Sequence, residues 1–289
     1  MKKLIALVLF TLFAACSQGN GKPVEPGEKR LTTTNCRTCS NVTPQQPVIL
    51  VHGRNDTSAR WNTLVTNWSS RGYTENVNLF RINMTVDCGA NDYCSQLPSY
   101  PAASVNESYA MCLKAYIDQK VPSGEAVDIV THSQGGITAR YYTRFLASPR
   151  VVNDMSNMAG LNQGTKNCTL AGACTGINPE SCPDSAFMHK LNGVAPEGDG
   201  TNDETPGASP NGPVQYDAIV SSGDTVISPY CSGYYILNPQ TTQADDMNCK
   251  SPNYTLDSEA DSCKITGQHL TVPTNTTAIN HAYCQINED

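Results

Sequence analysis

Ser133 is the residue of this 289-residue chain most clearly placed to do chemistry. It stands in the run from Val127 to Gly136 (VDIVTHSQGG), where an apolar stretch of strand character ends abruptly and a helix-like stretch begins at Ile137. A strand, a tight turn and a helix with serine at the apex lift a hydroxyl above a sheet and set it at the positive end of a helix. A serine used as a nucleophile performs acyl transfer. It needs a base to take its proton, an acid to orient that base, and donors to receive the oxyanion.

Only five histidines are available as the base, so elimination is effective. His132 lies inside the turn, His52 follows an early apolar run, and His189 falls in an irregular stretch. His269 reads as mid-strand within Lys264 to Val272, which suits a packed strand histidine. His281 comes after that strand. Function in open α/β sheets gathers beyond the C-terminal ends of strands, so His281 is the expected base, with His269 the alternative. The same rule selects Asp224, just past the strand Val214 to Val220, ahead of Asp217 within that strand and the pair Asp245–Asp246 in another loop. Ser133, Asp224 and His281 then follow the order serine, acid, histidine. The oxyanion donors are expected to be the amide of Gln134, next after the serine, and that of Arg54 in the loop after Val48 to Val51, with Asn55 next in line.

Those parts need a scaffold, and the chain alternates strand and helix. Pro47 to Val51 is a continuous apolar run, as in a strand buried on both faces of a parallel sheet. Ser58 to Arg71 carries Trp61, Leu64, Val65 and Trp68 at helical spacing. Val77 to Ile82 reads as a strand and Ser104 to Gln119 as a helix. Val127 to Val130 is the strand before the serine, and Ile137 to Ala147 its helix. Val151 to Ala159 includes a further strand. This pattern predicts an α/β fold with a mostly parallel sheet flanked by helices. Leu161 to Pro213 breaks it and, with three cysteines and many Gly, Pro and Asn, reads as a cysteine-rich loop insertion pinned by disulfides.

Four stretches together resemble the bacterial lipase family of the α/β-hydrolase superfamily, which includes small lidless lipases and related extracellular polyester depolymerases. They are Pro47 to Gly53 (PVILVHG), Thr131 to Gly135 (THSQG), Ser221 to Val226 (SSGDTV) and Ile279 to His281 (INH). The resemblance implies carboxylic ester hydrolysis, of triacylglycerols or shorter acyl esters, with polyester cleavage by the same triad as the second reading. Peptidase activity is less well supported, and a non-catalytic binding lipoprotein of this fold is the competing class. Thr131 departs from the family, which places glycine or often alanine there. The stretch after His281 leaves room only for a very short closing helix, or none. Leu161 to Pro213 shows no amphipathic stripe, so an open or loop-rimmed site is expected.

The first fifteen residues read as a signal peptide: Lys2 and Lys3, an apolar core from Leu4 to Phe13, then Ala14–Ala15. Phe13 to Cys16 resembles a lipobox, making Cys16 the expected lipid attachment; an ordinary secretory signal is the alternative. Residues 16–30 read as a flexible tether and residues 31–289 as the globular domain. Setting Cys16 aside from the 13 cysteines leaves an even number, which suits disulfides in an oxidising compartment. Cys36 and Cys39 form a lone C-x-x-C, read as structural disulfides rather than a zinc or redox site. Loss of Lys2 and Lys3 would leave 17 of 19 basic residues against 26 acidic ones, or −9. That charge, without basic clusters, argues against nucleic acid as a partner. An ester or lipid substrate is expected, together with a membrane reached through the N-terminal lipid. No cofactor is expected. The acidic loop Gly198 to Glu204 has the oxygen density for a structural calcium but lacks an EF-hand pattern, and reads as a solvated loop.

Overall fold

In the computed structural model, residues 36–40, 42–89, 95–169, 178–201, 214–227, 233 and 260–287 are described. Cys16, the leader, the tether, Asp245–Asp246 and residues 202–204 of the acidic loop lie outside them.

Six strands form one sheet: β1 Val48–Val51, β2 Leu79–Ile82, β3 Val127–His132, β4 Val152–Met158, β5 Gln215–Ser221 and β6 Ala260–Ile265. Their spatial order is β2-β1-β3-β4-β5-β6, and every pairing among them is parallel. The apolar runs explain this. Val48 and Leu50 face one core and Ile49 and Val51 the other, all fully buried, so β1 cannot sit at a wet face or edge. One core is roofed by α3 (Val105–Lys120) and α4 (Gly135–Tyr141), which continues as a π-type turn to Leu146. The other is covered by α1 (Asn62–Ser69) and α6 (Thr276–Gln285), where Tyr283 packs edge to face with both Trp68 and Tyr73 and the Trp68 indole N–H donates to the Ile279 carbonyl. Short helices α2 (Met84–Asp87) and α5 (Ala186–Leu191) complete the set.

Strand order reverses between β1 and β3, since β2 lies on the far side of β1. At such a switch point the loops beyond the strands diverge and leave a crevice. The loop after β1 and the turn at Ser133 meet there.

Two expectations about the C-terminal part are corrected. The last strand was expected over Lys264 to Val272, but β6 ends at Ile265 and His269–Thr274 is a 3-10 turn. Gly267, at φ +147, redirects the chain, and Pro273 cannot donate to a ladder. A closing helix is also present: α6, capped by Asn275, whose side chain accepts from the Thr277 and Ala278 amides, contains His281.

Four disulfides lie among the described residues. Cys36 pairs with Cys263 on β6, and Cys39 with Cys284 on α6, so the C-x-x-C is a double staple rather than one closed pair. Cys88–Cys112 ties α3 to the segment after α2, and Cys168–Cys182 pins the insertion, as its composition implied.

Candidate active site

The backbone at the end of β3 is strained where the chemistry requires it. Ser133 has φ +55, a left-handed conformation that is uncommon outside glycine and Asn/Asp. It survives because its neighbours leave no alternative. The Ser133 amide donates to the Met158 carbonyl at 3.0 Å, and Gly136 donates to the Ser133 carbonyl at 3.0 Å. A Cβ on Gly135 would come within 2.6 Å of the Val51 carbonyl oxygen, and one on Gly53 within 2.7 Å of the serine Cβ. The glycines on both sides therefore let the turn approach β1.

Thr131, the departure from the family pattern, is fully buried and paired in register with Asn157 on β4. Its hydroxyl donates to the Asn157 Oδ1. Asn157 in turn donates to Asn162 Oδ1 at 2.6 Å, and Asn162 to the Gly233 carbonyl at 2.7 Å. The extra hydroxyl is accommodated by a partner on the next strand rather than by empty space.

His269 Nε2 lies 2.9 Å from Ser133 Oγ, and His269 Nδ1 lies 2.7 Å from Asp224 Oδ2. A carboxylate only accepts, so the ring proton sits on Nδ1 and the Nε2 lone pair faces the hydroxyl. Asp224 is fixed on its other oxygen, Oδ1, by the amides of Val226 at 2.8 Å and Ile227 at 2.9 Å. Gly223 and Gly267 let the two loops touch, since a side chain at 223 would collide with the Gly267 carbonyl. Ser221 Oγ donates to that carbonyl at 2.6 Å. Ser133, Asp224 and His269 follow β3, β5 and β6.

His281, the histidine expected as base, is elsewhere. Its Nδ1 accepts from the Arg37 amide at 2.7 Å and its Nε2 donates to Asp217 Oδ1 at 2.8 Å, with Ser156 Oγ on the other Asp217 oxygen at 2.6 Å. Both ring nitrogens are engaged in a buried structural network. The reason for the correction is the early end of β6: with the strand stopping at Ile265, it is His269 that lies beyond a strand end, and the positional rule that favoured His281 selects it. The turn signal was in the sequence, in Gly267.

His132 and His52 flank the site. The rings of His132 and His269 pack with centroids 4.7 Å apart, and His132 Nε2 lies 3.2 Å from the His269 carbonyl oxygen. His52 Nε2 accepts from the Met84 amide at 3.1 Å, so its Nδ1–H donates to the Gly53 carbonyl at 2.8 Å and fixes the loop ahead of Arg54. Gln134 heads α4, and Arg54 follows the glycine that abuts Ser133.

Burial pushes the His132 imidazolium well below its ordinary 6.5, helped by the neighbouring His269, against the carbonyl bond that raises it; Arg60 and His52 lower it further. Burial also lowers His52, opposed by its Gly53 bond and by Asp56 and Asp87, with Arg60 adding to the lowering. A depressed folded value means that the unfolded chain binds more protons below 6.5, so stability falls with pH in that range and is complete above it. Melting temperature should therefore decline as pH drops below 6.5, and His52→Gln should flatten the slope. An unchanged slope in that variant would refute the assignment for His52.

A parallel sheet with a strained serine turn after its third strand, an aspartate and a histidine after later strands, and a glycine loop beside the serine defines one architecture. The chain has the α/β-hydrolase fold. No protein-family model and no curated protein sequence matches it. Solved structures similar to it include an extracellular alpha/beta-hydrolase from a Paenibacillus species, at 12% identity and TM-score 0.47, covering 85% of this chain and 100% of that one. An alpha/beta hydrolase from a lagoon-sediment metagenome, at 14% and 0.48, covers 86% and 94%. The carboxylesterase CesB from Bacillus subtilis, at 12% and 0.45, covers 85% of each.

Proposed function

We propose that this α/β-hydrolase is a serine ester hydrolase of the lipase/esterase type, with Ser133 as nucleophile, His269 as base and Asp224 as its orienting acid. The observation that carries the reading is the unbroken relay from Ser133 Oγ through both His269 nitrogens to Asp224. A binding protein that merely kept the fold would have no need of that proton path.

In this reading Ser133 Oγ attacks the ester carbonyl while His269 Nε2 takes its proton. The amides of Gln134 and Arg54 receive the oxyanion, and Asp224 steadies the imidazolium. The Nε2 proton passes to the departing alkoxide, leaving an acyl-serine. Water then attacks with His269 as base, releasing the acid and restoring Ser133. An oxyanion donor of this kind contributes about 3 kcal/mol to the transition state.

Two exposed apolar residues support an acyl substrate. Leu270 is 56% exposed beside His269, and Val226 is 44% exposed on the Asp224 loop. We further propose an exported enzyme, consistent with the four disulfides among the described residues, held to the envelope by a lipid on Cys16.

Diethyl p-nitrophenyl phosphate is expected to add one diethylphosphoryl group to the peptide containing Ser133, read by mass spectrometry, with loss of butyrate ester hydrolysis in proportion. Full activity without a label there would overturn the assignment. Triolein, short-chain esters and a polyester film then separate lipase, esterase and depolymerase; hydrolysis of casein alone would overturn the ester reading.

A further inference from the structure

The insertion carries a carboxylate into the site region. Glu180 lies within the loop closed by Cys168–Cys182, and its backbone is held where Ser185 Oγ donates to the Glu180 carbonyl at 2.9 Å. Its Oε1 accepts from the Val105 amide at 2.8 Å, and its Oε2 from the Asn106 amide at 3.0 Å and the Asn106 Nδ2 at 2.8 Å. The start of α3 is already capped by Ser104, whose hydroxyl accepts from the Glu107 amide at 3.2 Å. Glu180 thus serves the remaining orphan donors and grips one side chain as well.

That side chain is buried, with Asn106 only 1% exposed. Because a carboxylate only accepts, Asn106 must turn its NH2 toward Glu180, which points Oδ1 the other way. Oδ1 accepts from Gln134 Nε2 at 3.1 Å and lies 3.4 Å from Thr138 Oγ1. Glu180 therefore dictates the orientation of an amide whose other end holds the residue directly after the serine.

We infer that Glu180 and Asn106 are positioning residues for the oxyanion hole: by anchoring the Gln134 side chain they aim its backbone N–H at the developing alkoxide. The inference rests on the reading of Ser133 as nucleophile. The insertion is then part of the catalytic apparatus rather than surface decoration, acting at a distance through an oriented amide.

The test is kinetic. Asn106→Ala and Gln134→Leu should each lower kcat for p-nitrophenyl butyrate by about 10- to 100-fold, less than removal of an oxyanion donor outright, with KM changed by less than about threefold. Butylboronic acid, which forms a tetrahedral adduct on the serine, should lose affinity by a matching factor. The Asn106→Ala/Gln134→Leu double variant should lose no more than either single one, because the two act as a unit. Glu180→Gln keeps a single acceptor oxygen, so either the Val105 amide or the Asn106 donors lose their partner; it leaves the half-buried loop intact and should show a smaller loss of the same kind even if the Asn106 variant fails to fold. Wild-type kcat and boronate affinity in Glu180→Gln and Gln134→Leu would overturn the relay. So would losses that fall on KM alone, or additive losses in the double variant. Ser133→Ala separates the two levels: an inactive Ser133→Ala beside fully active relay variants removes only this inference, whereas an active Ser133→Ala removes the nucleophile assignment beneath it.

Discussion

His269→Ala is expected to reduce kcat for short-chain esters by about 10⁴- to 10⁶-fold, close to the loss from Ser133→Ala, because members of such a relay act as a unit. Without the Nε2 lone pair 2.9 Å from Ser133 Oγ, the hydroxyl has no acceptor for its proton. What remains is the modest acceleration supplied by the oxyanion donors and substrate binding. His281→Ala makes the opposite prediction. It would strip a buried Asp217 carboxylate and the Arg37 amide of a shared partner. Leaving a buried group short of a hydrogen-bond partner costs about 1–3 kcal/mol. Its melting temperature should fall markedly, while kcat measured well below that temperature stays near wild type. Kinetics and thermal melts on both variants decide the matter. Loss of kcat in a folded His281→Ala, with retention in His269→Ala, would reverse the assignment.

The second large effect concerns the staple. Cys36–Cys263 and Cys39–Cys284 span 227 and 245 residues of chain. In the chain-entropy picture, a cross-link closing so large a loop stabilises the fold by about 5 kcal/mol, and a second one beside it adds less. Domains of this kind are stable by about 5–15 kcal/mol in total. The double variant Cys36→Ser/Cys39→Ser should therefore melt about 10–20 °C lower. It should also lose activity on warming before the wild type does, since β6 leads directly into the His269 turn. Cys168→Ser/Cys182→Ser opens a loop of only 14 residues and should cost less, about 3 kcal/mol. Differential scanning calorimetry compares them; a staple-free protein with wild-type melting would contradict the account.

The legibility of this site in the sequence varied with the physics behind each residue. The serine turn was legible because its requirements are local: β-branched residues feeding a turn, then Gly135 where the chain must pass β1 and Gly136 where it must pass Asn157 of β4. Asp224 was legible because a Gly-Asp turn after an apolar strand reports its own geometry. The histidine was not, because the choice between His269 and His281 turned on where one edge strand stops. Lys264 to Val272 has strand-like residues throughout, and one glycine with positive φ outweighs them. The role of His281 depends on Arg37 and Asp217, which are 244 and 64 positions away in the chain. No pattern of spacing encodes such contacts. The same is true of Glu180, which meets the start of α3 from 75 positions away in the chain.

The clasp between residues 36–39 and the segment 263–284 turns the folded polypeptide into something close to a covalent ring. Synthesis from the N-terminus delivers β1 to β5 and Ser133 before His269, the imidazole that faces the hydroxyl, has been made. The two sulfur bonds join the first of the described residues to β6 and α6, the elements that flank His269. Until β6 and the turn after it are in place, Ser133 Oγ has no His269 Nε2 beside it.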